Sequence, residues 1–218
     1  GYEAANKFIA KREEFPAFDI PIVCLPATIN NNLPGTDFSV GADTALNTII
    51  EAVDKIKESA AANKRVVVVE VMGRYCGYLT AMSGLATGAA RVYLHEDGVT
   101  LQELQDDVNM FKKAFAEGKR MGLVVKSEYA NEIYTTPFIS ALYEEDGGDV
   151  FDVRQSILGH VQQGGDPSPN DRTMATRLAA KSMEFIMDSI KNDKHEVVCI
   201  GEHGGKIDFR NLDDLYKM

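Results

Sequence analysis

The sequence is short of cysteine, of long apolar runs and of positive charge, and each shortage excludes a class of protein. Its 218 residues hold three cysteines, Cys24, Cys76 and Cys199. Three cannot all pair, and none stands in a CxxC or Cys/His metal-ligand spacing. A disulfide scaffold and a cysteine metal centre are therefore excluded, and reduced thiols in a cytoplasmic protein are the expectation. The uncharged stretch Tyr75–Ala90 is broken by Thr80, Ser83 and Thr87. It is shorter than the ~20 apolar residues of a membrane span, so no membrane partner is expected. Lysine and arginine number 23 against 33 acids, a net charge of −10. A nucleic-acid partner held by bulk electrostatics needs a basic field and is excluded. Any anionic ligand must be held by a local group of cations working against the net charge. The opening residues carry no signal or transit pattern. No internal repeat or low-complexity linker interrupts the chain. What remains, 44% hydrophobic and 26% charged residues, is ordinary for a folded globular protein.

Strand and helix patterns alternate. Ile20–Leu25 is a short apolar run closed by Pro26, and Arg65–Met72 (RVVVVEVM) is a β-branched run too continuous for a half-exposed strand. Val92–Leu94, Met121–Lys126 and Val197–Ile200 read as further strands, and Val150–His160 as an extended segment. Val40–Ala60 has apolar residues at helical spacing. Gly77–Ala89 reads as a helix of small residues. Thr100–Ala116 opens on a capping box of Thr100 and Glu103. Thr136–Glu145 is a further helix, and Ser168–Ile190 a long one with Pro169 in its first turn. The alternation predicts an α/β protein with largely parallel sheets covered by helices on both faces. Ligands bind such sheets in the loops after the strands.

Those loops carry polar chemistry. Residues 26–37 (PATINNNLPGTD) bring three asparagines, which offer amide donors and acceptors but no general base. Asparagine also tolerates left-handed backbone, so a tight turn is an equal reading. In Met72-Gly73-Arg74-Tyr75-Cys76-Gly77, glycine followed by arginine at a helix start suits an anion; the plain alternative is tight strand-to-helix packing. Glu128 follows a strand and, taken alone, reads as a solvated carboxylate. Residues 154–167 combine Arg154, His160, Gln162, Gln163 and a double glycine, although His160 between Leu158 and Val161 reads alone as a core histidine. His95 and His203 read as plain surface residues. Arg65 precedes its strand and so lies at the opposite strand end from Arg74; the two can share a site only if a second subunit intervenes. Together the loops suggest a binder of a phosphorylated, hydroxyl-rich small molecule, a sugar phosphate being the natural candidate.

Three blocks, residues 26–37, 69–78 (VEVMGRYCGY) and 158–172 (LGHVQQGGDPSPNDR), resemble the signature motifs of the 6-phosphofructokinases, in order and at the family's spacing. The departures resemble the C-terminal, regulatory half of the duplicated eukaryotic ATP-dependent enzyme. The family's catalytic loop reads Thr-Ile-Asp-Asn-Asp. Here Asn30 replaces the first aspartate, the general base, and Asn32 the second, and an amide cannot take the sugar hydroxyl's proton. Tyr2 stands in place of the metal-handling aspartate of the phosphate loop. Ala27 stands where the pyrophosphate-dependent branch has lysine. The resemblance therefore implies no catalytic residue, metal or cofactor in this half, with ATP and magnesium used by the whole enzyme. By position, Arg65, Arg154 and His160 correspond to residues that bind the sugar 6-phosphate, with Arg65 and Arg154 reaching in from a neighbouring subunit or half. Met72, Gly73 and Glu128 correspond to those that hold the sugar; Thr28, Arg74 and Gln163 complete the set.

The resemblance implies two Rossmann-like lobes: an incomplete large lobe of residues 1–41 and 162–218, and a small sugar-phosphate lobe of residues 42–161. It implies fructose 2,6-bisphosphate as the ligand, as an allosteric activator, and the catalytic half and other subunits as partners. Two alternatives stand beside it: a catalytic fragment binding fructose 6-phosphate, and a non-binding half that serves oligomerisation. The expectation is of an interior slice of a longer enzyme, opening in the phosphate-loop region and stopping at Tyr216-Lys217-Met218 as it enters a helix. The large lobe is expected to show exposed apolar sheet surface.

Overall fold

In the computed structural model, which describes residues 1–215, the elements run α1 (Tyr2–Ala10), β1 (Ile22–Cys24), α2 (Ala42–Ala61), β2 (Arg65–Val71), α3 (Tyr78–Thr87), β3 (Arg91–Tyr93), α4 (Leu101–Ala116), β4 (Met121–Ser127), α5 (Thr136–Gly147), β5 (Asp152–Ile157), α6 (Pro169–Lys191), β6 (Val197–His203), β7 (Lys206–Asn211) and α7 (Leu212–Leu215). The chain divides into two compact units, Gly1–Ala42 with Pro167–Met218, and Asp43–Asp166.

The second unit is built on a four-stranded sheet in the order β3-β4-β2-β5, parallel throughout. The valines of β2 explain its central place. Val66 and Val68 enter a core with Leu104, Val108, Phe111, Ile139 and Tyr143, while Val67, Val69 and Val71 are just as buried on the other face. Only a strand covered on both sides can bury consecutive residues. Gly122 on β4 admits the Phe111 ring; a Cβ there would lie 2.6 Å from it. The Thr100–Glu103 capping box opens α4 as its sequence predicts. Beneath it, Asp107 is buried and accepts from the Tyr93 hydroxyl at 2.6 Å and from Arg91. The Tyr143 hydroxyl lies 2.6 Å from that of Tyr93. Burial pushes both phenols well above their ordinary range.

The first unit has a smaller sheet, β1-β6-β7, in which β1 is parallel and β7 antiparallel to β6. One face carries Ala5, Cys24, Val197, Cys199, Leu212 and Leu215; the other packs Ile200 and half-buried Val23 against Met174 and Leu178 of α6. Pro169 occupies the first turn of α6, and the Ser168 hydroxyl accepts from Asp171 N–H. β1 lies at the sheet edge, with Ile20 and Leu25 beside it exposed.

Several expectations are corrected. Residues after Gly1, expected in a phosphate loop, form α1. The last strand extends to His203 and turns through Gly204-Gly205 into the unforeseen β7. The extended segment stops at Ile157, and His160 lies on a short 3₁₀ turn, Gly159–Gln163. The expected helix at residues 216–218 lies outside the described residues.

Phe111→Ala empties the centre of the second unit's core and is expected to cost about 3–5 kcal/mol, read from urea unfolding. Thr100→Ala, which removes the cap alone, is expected to cost about 1 kcal/mol.

Candidate functional site

The loops at the carboxyl end of the second unit's sheet are fixed by strand register. Val71 pairs with Ser127 across β2 and β4, so the residues that follow, Met72–Arg74 and Glu128, leave the sheet side by side. Glu128 is not a free solvated carboxylate: its Oε1 accepts from the backbone N–H of Gly73 at 3.2 Å and of Arg74 at 3.0 Å. Met72 N–H donates to Gln162 Oε1 at 3.0 Å, and Gln162 Nε2 donates to Gly159 C=O at 2.8 Å. Gln162 is fully buried and ties the 3₁₀ turn carrying His160 to the β2 loop. Its neighbour Gln163 is exposed and reaches only the Met72 sulfur, at 4.0 Å. The sequence reading named Gln163 and missed the part played by Gln162; the signal was an amide beside a double glycine with no strand or helix pattern to claim it.

Gly73 is required by space, since a Cβ there would lie 2.2 Å from Cys76 C=O. Arg74 and Tyr75 follow with φ of 42° and 67°. Two consecutive non-glycine residues in the left-handed region are a strained arrangement, of the kind concentrated at ligand sites. The expected anion seat at the start of α3 is corrected: the N–H of Gly77, its N-cap, is taken by Glu96 Oε1 at 2.7 Å. The protein's own carboxylate meets the helix dipole there. Arg74 leaves its loop ahead of the helix, with its side chain exposed. His160 is exposed as well, which sets aside its reading as a core histidine. Below these loops Lys126 is buried, its Nζ 3.3 Å from Glu70 Oε2 and 3.0 Å from Ser127 C=O, and Glu70 also accepts from the Thr136 hydroxyl. This buried pair, unmarked by any sequence pattern, closes the floor of the site.

Arg65 and Arg154 are elsewhere in the same unit. Val67 pairs with Arg154, so Arg65, two residues back on β2, shares a sheet face with it. Both line a cavity of about 360 Å³ with Lys55, Ser59 and Ser156. Arg65 Nε is buried without a hydrogen-bond partner, 4.0 Å from Asp152. Six strand residues at ~3.3 Å each put Arg65 about 20 Å from the β2 loop. The structure thus brings Met72, Gly73, Arg74, Glu128, His160 and Gln163 to one end of the sheet and sets Arg65 and Arg154 apart.

In the first unit the three asparagines divide. Asn31, at φ 53°, is the turn residue: its amide donates to Asp37 C=O at 3.0 Å and accepts from Ser39 N–H at 2.8 Å. Thr28 N–H donates to Ser39 Oγ at 2.6 Å, and Thr28 Oγ1 accepts from Asn30 N–H at 3.3 Å. Asn30 keeps a buried Oδ1 with no partner, and Asn32 is exposed. His203 is not a plain surface residue. Its Nδ1 lies 3.1 Å from Asp37 and its Nε2 2.9 Å from Gly35 C=O. The N–H of Gly204 and then His203 hold the Asp37 carboxyl below the usual carboxylate range. His95 is exposed, with its ring edge against Tyr75.

Sheet order, the glycine-strained loop and its carboxylate anchor coincide with what the comparisons find. The Phosphofructokinase family model matches residues 1–186, and the chain belongs to that family. The chain is 45% identical over 218 residues to the ATP-dependent 6-phosphofructokinase of Dictyostelium discoideum, covering 99% of this chain and 26% of that protein. It is 48% identical over 191 residues to the muscle-type enzyme of Oryctolagus cuniculus, covering 87% of this chain and 24% of that protein. The crystal structure of Pichia pastoris phosphofructokinase in the T-state superposes with a TM-score of 0.90 at 38% identity, covering 100% of this chain and 27% of that one. The chain therefore spans about a quarter of the length of these relatives. Among the described residues no helix is long and apolar enough to cross a membrane.

Glu128→Ala removes the acceptor for two backbone donors. Amide hydrogen exchange at Gly73 and Arg74 is expected to speed at least tenfold, since a hydrogen bond to a charged group contributes about 1.5–3 kcal/mol. For Asp37, the lowered folded value means its contribution to stability is present above the unfolded value and is lost as pH falls through the folded one. Carboxyl-carbon NMR is expected to show a lower midpoint for Asp37 in the folded chain than in urea.

Proposed function

We propose that this chain is the regulatory half of an ATP-dependent 6-phosphofructokinase and binds the activator fructose 2,6-bisphosphate in a sugar-phosphate site that has lost its catalytic base. The observation that carries this reading is Asn30. An amide stands where the family's loop has its proton-accepting carboxylate, and its Oδ1 is buried without a partner. A neutral acceptor cannot draw a proton from a sugar hydroxyl, but it can accept a hydrogen bond from one, and it does not repel an anionic ligand. The ATP and magnesium of the whole enzyme find no fit in this half. Tyr2 and Glu3 open α1 where the family has its metal-handling loop, and among the described residues no group of three metal-ligating side chains comes together. No phosphoryl transfer is assigned to it.

Binding, by contrast, keeps its parts. The rigid Met72–Arg74 loop on Glu128 suits a hydroxyl-rich ring, and exposed His160 and Arg74 suit a phosphate. Arg65 and Arg154, about 20 Å away along the sheet, serve a second subunit's ligand, and that subunit's arginines serve this one. The effector then acts by population shift: it favours the quaternary arrangement that completes its site, and that preference is reciprocal with substrate.

Titration calorimetry on the assembled enzyme tests the reading. Arg154→Ala and His160→Ala are each expected to weaken fructose 2,6-bisphosphate binding about 10- to 150-fold, the equivalent of a charge-assisted hydrogen bond. Unchanged affinity in both variants would sink the site assignment. Phosphoryl transfer that depends on this half's own pocket would favour a catalytic role instead.

A further inference from the structure

The first unit holds a pair of thiols that the proposed effector site does not use. Cys24 ends β1 and Cys199 lies in β6, and the two are direct partners in the parallel ladder. Paired residues on neighbouring strands point to the same face, and both thiols enter the same buried cluster, under Tyr2 and Ala5 of α1. Adjacent strands lie about 4.8 Å apart, inside the roughly 4.4–6.8 Å between Cα atoms that a disulfide requires. Both cysteines are free, and Cys76, in the other unit, is the remaining thiol.

Their surroundings make them unequal. The hydrogen bond with Cys199 holds the Cys24 thiol down to about 7, against burial, which raises it. The same contact and burial raise Cys199. Cys24 is thus the nucleophile of the pair. Cys24 stands two residues before Pro26, where the Thr28–Asn30 loop begins. Cys199 stands two residues before Gly201, where a Cβ would lie 2.0 Å from Gly35 C=O, and Glu202 N–H donates to Thr36 Oγ1 at 3.0 Å. The pair therefore lies at the base of the strand ends on which that loop rests.

We infer that Cys24 and Cys199 form a peroxide-sensitive dithiol, oxidised reversibly to an intrachain disulfide that joins β1 to β6 beneath the Thr28–Asn30 loop. The Cys24 thiolate attacks one peroxide oxygen; an S–O bond forms, the O–O bond breaks, and the departing hydroxide takes a proton to become water. The Cys199 sulfur then attacks the Cys24 sulfenic acid; the S–S bond forms, the S–O bond breaks, and the leaving hydroxide takes the Cys199 proton. Two thiols lose two electrons and one peroxide becomes two waters. A dithiol reductant reverses the change.

The test is hydrogen peroxide titration of the reduced full chain, with thiols counted in denaturant and a non-reducing digest analysed by mass. The expected result is loss of two of the three thiols, one peptide pair joining Cys24 to Cys199, an alkylatable Cys76, and full recovery with dithiothreitol. Cys199→Ser is expected to stop at a Cys24 sulfenic acid that dimedone captures, and Cys76→Ser to leave the two-thiol loss unchanged. Three thiols surviving excess peroxide, a bridge through Cys76, or a bridge between two chains overturns the inference. If Cys199→Ser does not fold, the unmodified chain and Cys76→Ser decide it alone.

Discussion

The parallel register of β2 against β4 and β5 is the constraint from which the rest of the candidate site follows. Pairing Val71 with Ser127 delivers Gly73 and Glu128 to the same place as both strands end. Pairing Val67 with Arg154 puts the two arginines on one face further down. A slip of one residue would turn every side chain of β2 to the other face and carry Arg65 away from Arg154. What enforces the register is burial: five valines of β2 are almost wholly enclosed, and a covered strand has no alternative pairing that keeps both faces apolar.

The polar features of the carboxyl end depend on that frame. Lys126 is buried because Glu70 is its register partner, and removing either alone would leave an uncompensated charge, at a cost of about 3–5 kcal/mol. Glu128 is held by two backbone donors, so its position is set by the main chain and not by a flexible partner. Gln162 performs the same service for the turn bearing His160. The groups assigned to the ligand stand on a layer whose own hydrogen bonds are already made, which is what a site that binds without reorganising requires.

Much of this was legible in the residues. The 3.6-residue spacing before Ala60, the Thr100–Glu103 cap, the valine run of β2 and Pro169 at a helix start each name an element by a local rule, and the structure holds each of them. The misses have physical causes. α1 has no side-chain cap and was read through a resemblance to a loop. β7 alternates weakly and was announced only by the glycine pair at its turn. Gln162, Glu96 and Glu128 act on backbone groups distant in sequence, and no spacing rule reaches those. The asparagine run shows the limit best: composition marked Asn30, Asn31 and Asn32 alike, and only the folded backbone separates the turn residue from the one with an unmet oxygen.

The separation of Arg65 and Arg154 from the Met72–Arg74 loop carries an arithmetic consequence. A single chain holds one set of cations and one set of ring-holding groups, facing different ends of one sheet. On the proposed reading neither set is a site by itself, and each becomes one only where two subunits meet. The number of ligands bound then counts junctions between subunits, and dilution that separates the subunits empties sites whose residues are all still folded and in place.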